Sequence, residues 1–155
     1  GLCLNFGGMP VQDPPDFRPD VVSFLSKPFA QTWDVRGRMT ARLVCVSDCE
    51  DTCFYVRLSL IKDGVAYPLR DDITSLCYAT PDYTPGAEKT VAFCFPDHAF
   101  RISPGDVLRL DLSSSCSHFV PHTNNKGLQS IQKTSRTAKN TILCGKSSLT
   151  LFCEQ

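Results

Sequence analysis

The sequence lacks any charge imbalance. Its 16 lysines and arginines cancel its 16 aspartates and glutamates over 155 residues. A neutral chain without a basic run offers no electrostatic footprint for nucleic acid or anionic lipid, so neither is expected as a partner. It also lacks an apolar run approaching the ~20 residues of a membrane-spanning helix, and no leader-like segment is visible at its start. The first residue is Gly1 rather than Met, so the chain reads as a piece of something longer. No N-x-[ST] sequon occurs, which favours an intracellular, cytoplasmic setting. There is no G-x-S-x-G, the strained turn that presents a hydrolytic serine. No stretch keeps a helical period over three turns.

Cysteine, by contrast, is abundant. Nine is an odd number, so at least one thiol is free or intermolecular. Cys45, Cys94 and Cys153 follow or separate apolar neighbours at strand-like positions, where a thiol behaves as a small buried hydrophobe. A chain of this length buries roughly 70% of its unfolded surface and needs no crosslink to hold one core. Mostly reduced, structural thiols are therefore expected.

The order of features is that of a β protein. Residues 1–20 form a lead-in with Gly7-Gly8, Pro10, Pro14-Pro15 and Pro19, too rich in proline for a central strand. A single domain over 21–155 follows. Val21–Leu25 is the first strand. From Trp33 to Val46 a long run places Val35, Met39, Ala41, Leu43 and Cys45 on one parity. The polar turn SDCEDTC leads into Phe54–Ile61, where Phe54, Val56, Leu58 and Leu60 alternate with Tyr55, Arg57 and Ser59. Asp63-Gly64 signals a tight hairpin. Val65–Leu69, Ile73–Tyr78 and Lys89–Phe95 read as further strands, and Pro96–Arg101 as an irregular piece or single turn. Ser103-Pro104-Gly105-Asp106 is a turn, and Leu108–Leu112 alternates as a half-buried strand. Leu128–Asn140 is a polar loop, before short strands at Thr141–Cys144 and Ser148–Phe152. Eight or so short strands with turns between them predict an all-β, antiparallel jelly-roll sandwich.

Several groups of residues invite a chemical reading. Ser59 and Lys62 spell S-x-x-K, but residues three apart on a strand point to opposite faces, so no acylating pair is expected. Cys116, His118 and His122 are ligand types for zinc or parts of a thiol hydrolase, yet Pro121 breaks any helix that would align the histidines. Cys45, Cys49 and Cys53 are spaced by three residues rather than the two of a zinc knuckle, and Cys49 and Cys53 are expected to be exposed in the turn. Asp48, Glu50 and Asp51 supply oxygens that suit calcium, though a solvated acidic turn is the simpler expectation. Trp33, Tyr55, Tyr67, Tyr78 and Tyr83 are the aromatics that a sugar or peptide groove would use, and equally those of a sandwich core and its edges. On this reading no catalytic residue, cofactor or metal ligand is assigned.

Six motifs, in order, resemble the C-terminal domain of the X-Pro dipeptidyl peptidase and cocaine esterase (CocE/NonD) family of serine hydrolases. Asp20–Phe29 is similar to its D-V-L-x-F-x-S-x-P-L. Val35, Gly37, Ala41 and Leu43 fit V-x-G-x-x-x-A-x-L. Ser47, Asp51, Thr52 and Phe54 fit S-x-x-x-D-T-D-F, with Cys53 replacing the second Asp, and Leu58, Ile61, Asp63 and Gly64 approximate L-x-x-V-x-x-D-G. Gly105, Leu108, Arg109, Leu110, Ser113, Ser114, Ser115, Asn125 and Gly127 fit a strand and loop that in the family read G-H-R-I-R-L-x-I-S-S-S and then N-x-N-T-G. Departures are Asp106 for His, Ser117-His118 near Phe-Pro, Thr123 for the first Asn and Lys126 for Thr. Leu149 and Leu151 close the pattern, which runs from about Gly8 to Leu151.

The resemblance implies a galactose-binding-like jelly roll without a catalytic site of its own. It would pack on the α/β-hydrolase domain of the same parent chain and wall the active-site cleft. The parent would take a peptide or acyl ester substrate, by X-Pro dipeptide release or ester and amide hydrolysis, with its serine, histidine and acid all in the preceding domain. A homodimer is compatible with this. The alternative is a free-standing carbohydrate- or ligand-binding sandwich, since fold does not fix function.

Overall fold

The computed structural model describes residues 11–15, 17–114 and 122–154. Among the described residues nine strands and one short α-helix follow in order: β1 (Val21–Leu25), β2 (Trp33–Ser47), β3 (Cys53–Lys62), β4 (Val65–Ser75), α1 (Leu76–Ala79), β5 (Lys89–Ile102), β6 (Val107–Ser113), β7 (Asn140–Ile142), β8 (Ser148–Thr150) and β9 (Cys153–Glu154). They form two antiparallel sheets. One has the order β1-β6-β3-β4. In the other, β2 pairs with β5 on one side and with β7, β8 and β9 in turn on the other. The expected all-β sandwich is what the sequence builds.

Alternation explains the core. Phe54, Val56, Leu58 and Leu60 of β3 and Leu108, Leu110 and Leu112 of β6 face Val35, Met39, Ala41, Leu43 and Cys45 of β2 and Val91, Phe93 and Phe95 of β5. These side chains are buried, and burying each large one contributes about 1.5–3 kcal/mol. The β3–β4 hairpin turns at Asp63 (φ 49°) and Gly64 (φ 77°), the left-handed pair of a type I′ turn that matches strand twist.

Three expectations need correction. β5 does not stop at Phe95 but continues to Ile102, because Pro96 comes at a β-bulge where the β2 register shifts between Gly37 and Met39, a place a missing N–H is tolerated. Residues 76–78 are not strand. Ser75 accepts a hydrogen bond from the Tyr78 N–H and caps the single turn of α1. Cys94 and Cys153 are exposed rather than core thiols, Cys94 because it shares the solvent-side parity of Thr40.

β6 is also not half-buried. Its polar parity, Arg109, Asp111 and Ser113, is 4, 9 and 8% exposed. Residues 12–15 cross this outer face: the Gln12 N–H donates to the Ala66 carbonyl at 2.9 Å. Arg109 donates through Nε to Asp111 Oδ1 at 2.7 Å and through Nη1 to the Asp13 carbonyl at 2.5 Å. Ser23 Oγ donates to Asp111 Oδ1 at 2.5 Å. Beside them the Tyr55 hydroxyl accepts from Arg57 and donates to Asp71, both at 2.6 Å, and Arg57 also reaches Gln12 Oε1. The result is a polar layer roofed by the lead-in.

Candidate functional site

A dense polar constellation lies where the β2–β3 turn meets the loop from His122 to Asn140. Asp51 is 4% exposed, so its charge must be satisfied by the protein. Its Oδ1 accepts from the backbone N–H groups of Thr52 (3.0 Å) and Cys77 (2.7 Å), and its Oδ2 faces His122 Nε2 at 3.2 Å. The Asn124 N–H points at His122 Nδ1 from 3.1 Å, which makes Nδ1 the acceptor and leaves the ring's proton on Nε2, aimed at Asp51. Burial raises the Asp51 carboxyl, but the His122 bond and the Cys77 and Thr52 amides outweigh it and hold it below the usual carboxylate range.

Around this pair the loop is tied down by side chains. Thr52 Oγ1 donates to Asn124 Oδ1 (3.0 Å), and Asn140 Nδ2 reaches Thr52 Oγ1 and Ser114 Oγ (both 3.2 Å). Asp48 Oδ1 accepts from the Lys139 N–H at 2.7 Å, which is the main reason its carboxyl is also held low. Within the loop, Gln129 Oε1 accepts from both the N–H (2.9 Å) and the hydroxyl (2.8 Å) of Thr123. Asn124 takes a left-handed φ of 59°, which its residue type tolerates. On the far side of the turn the Tyr83 hydroxyl donates to the Ser47 carbonyl (2.7 Å) and accepts from its N–H (2.8 Å).

An aspartate against a histidine resembles two-thirds of a catalytic triad, but this ring is committed at both nitrogens. It has no acceptor left for a nucleophile's proton, so the arrangement holds a loop and does not activate a nucleophile. The other candidates stay apart. Ser59 is fully buried on β3 and its hydroxyl finds no partner among the described residues, while Lys62 reaches Asp106 at 3.7 Å. Cys116 and His118 lie outside the described residues. Cys49 and Cys53 are buried, not exposed, and Asp51 is not a solvated turn residue. Sequence reasoning missed this because the cover comes from a loop about 70–90 residues downstream. Burial pushes the Cys45 thiol up to about 11. Among the described residues no three histidine, cysteine or acidic side chains converge as a metal would require.

The aromatics do not line a common groove. Trp33 packs on the core from β2, Tyr83 is buried, Tyr78 is 85% exposed, and Tyr55 and Tyr67 share faces with Ile73 and Leu60 respectively, on opposite sides of their sheet. An apolar opening lies elsewhere, at the edge of the sandwich. There a cavity of about 370 Å³ is lined by Phe24, Leu43, Leu108, Leu110, Ile142 and Leu149, with Cys144 and Ser148 also contributing.

These features define a β-sandwich whose polar clusters fasten loops and in which His122, committed at both ring nitrogens, is not free to serve a nucleophile as base. Residues 9–150 match the family model of the X-Pro dipeptidyl-peptidase C-terminal non-catalytic domain, and the chain belongs to that family. Among solved structures it is similar to an α-amino acid ester hydrolase, at 18% identity and a TM-score of 0.78 over 90% of this chain and 26% of the other. An aminopeptidase from the marine sediment archaeon Thaumarchaeota archaeon aligns at 17% identity and a TM-score of 0.73, over 90% and 27% of the two chains. A CocE/NonD family hydrolase from Staphylococcus aureus aligns at 12% identity and 0.62, over 84% and 30%. This chain thus spans less than a third of the length of these relatives. A search of curated proteins finds no match.

Proposed function

We propose that the chain serves as the C-terminal domain of a longer serine hydrolase, packing on the α/β-hydrolase domain of its own parent and helping to wall that domain's cleft. The parent reaction is release of an X-Pro dipeptide or hydrolysis of a related acyl ester or amide. The observation that carries this is the family match over residues 9–150, in a chain that corresponds to only 26–30% of its solved relatives. The engaged ring of His122 and the isolation of Ser59 from Lys62 support a supporting role over a catalytic one. A carbohydrate-binding module is less well supported, because its aromatic platform is not assembled.

The test starts upstream of Gly1, where a hydrolase domain carrying G-x-S-x-G is expected. The parent should hydrolyse an Ala-Pro-anilide or an aryl ester, and the 155-residue chain neither. Turnover that stays with this chain through purification would overturn the reading.

A further inference from the structure

We infer that the open edge of the sandwich between β1 and the C-terminal strands is the seat of the hydrolase domain, which places an uncharged, apolar side chain in the cavity there. This rests on the proposed function and names the surface that would serve it. The cavity carries no Lys, Arg, Asp or Glu in its lining. A charged occupant would lose its hydration without compensation, so the occupant is apolar. Leu25 of β1, which lines it, is 52% exposed, and Val22, on the same strand parity as the lining Phe24, is 53% exposed. An apolar opening beside such residues is what a docked partner covers. Among the described residues β1 is also an edge strand, with β6 its one partner, and an uncovered edge is a hazard that folded proteins cover or blunt.

The two sheet faces fit less well. The outer face of the β1-β6-β3-β4 sheet is already roofed by residues 12–15. The outer face of the other sheet carries exposed Arg36, Arg38 and Arg42 around exposed Cys94. Most of each solved relative's chain lies outside the part that aligns here, so a large partner has to be seated somewhere.

Two exposed thiols report on these alternatives. Cys144 lines the cavity, and Cys94 lies on the arginine-bearing face. Iodoacetamide labelling read by mass spectrometry should modify both at similar rates in the 155-residue chain. In the parent, Cys144 should react about tenfold more slowly than Cys94, because access controls thiol labelling. Leu25→Arg, at a half-exposed position, should restore Cys144 labelling in the parent and leave the melting of the shorter chain unchanged. A parent that contains a hydrolase domain but leaves Cys144 open, or protects Cys94 instead, overturns this inference while the proposed function stands. Protection of an otherwise open Cys144 by decanol also overturns it, in favour of a small-molecule site. A parent without a hydrolase domain overturns both.

Discussion

Replacing Asp51 by alanine tests whether the turn and the loop form one unit. The substitution strips the acceptor from the Thr52 and Cys77 amides and the partner from His122 Nε2. Each buried N–H left unpaired costs about 1–3 kcal/mol, so two give about 2–6. The space vacated admits water, which favours the lower half, about 3 kcal/mol. For a domain of this size that lowers Tm by about 6–12 °C. Asp51→Asn should cost less, because its amide oxygen can still accept both backbone bonds while its NH2 meets the His122 N–H. Thermal and urea unfolding measure the loss, and trypsin cleavage at Lys126, Lys133 or Arg136 should quicken in Asp51→Ala as the loop is released. The sign with pH follows from the carboxyl. Its folded-state pKa lies below the unfolded value of about 3.9, so its contribution is complete above that value and is lost as pH falls through the folded one. The wild type should therefore lose its advantage over Asp51→Asn in acid. An Asp51→Ala variant within about 0.5 kcal/mol of wild type, the range of neutral surface changes, would refute the reasoning.

Other outcomes follow from the same physics. Arg109→Met leaves Asp111 as a buried carboxylate without its ion pair, so the single change should cost about 3–5 kcal/mol in urea unfolding and the double change with Asp111→Leu should recover much of it. The Cys45 thiol, buried and pushed up to about 11, should resist iodoacetamide in the native state at pH 8 while Cys94 reacts. Elemental analysis of the purified chain should give zinc well below one atom per molecule, and a stoichiometric ion would contradict the dispersed arrangement of Cys45, Cys49 and Cys53. Gly105→Ala, at φ 90°, should cost about 1–2 kcal/mol from backbone strain alone, since open space surrounds the site.

How much of this was legible in the sequence depends on whether the cause is local. Strand identity in β2, β3 and β6 is written in period-two alternation, and the β3–β4 hairpin in two residues, Asp63-Gly64. What alternation cannot reveal is a second cover. Leu108–Leu112 has the pattern of a strand with one wet face, yet Arg109 and Asp111 are buried because the lead-in crosses them, and no residue near β6 announces a roof 96 residues earlier in the chain. The same holds for Cys49, which is covered by the loop carbonyl of Thr137. Both errors assign polar or turn residues to solvent, and both come from packing between segments far apart in sequence. Pro96 misled differently: a proline usually marks the end of a central strand, but a bulge lets β5 run through it.

The candidate site shows why partial motif matches still define one fold. The family patterns S-x-x-x-D-T-D-F and N-x-N-T-G are distant in sequence, and here they meet: Asp51 and Thr52 of one hold His122 and Asn124 of the loop that carries the other. At matching positions the residue type itself is used. Asn125 Nδ2 donates to the Thr134 carbonyl at 2.8 Å, and Gly127 takes φ 102°. At departing positions the need is met another way. Lys126 contributes its backbone carbonyl to Gln132, Thr123 finds its partner in Gln129, and Asp106, in place of histidine, accepts the Ser103 N–H at 2.7 Å to close the turn before β6. The loop can thus change its letters while keeping its hydrogen bonds satisfied. That is the behaviour expected of a scaffold element. A group that had to meet a reacting atom would keep an unengaged donor or acceptor for it, and the ring of His122 keeps none.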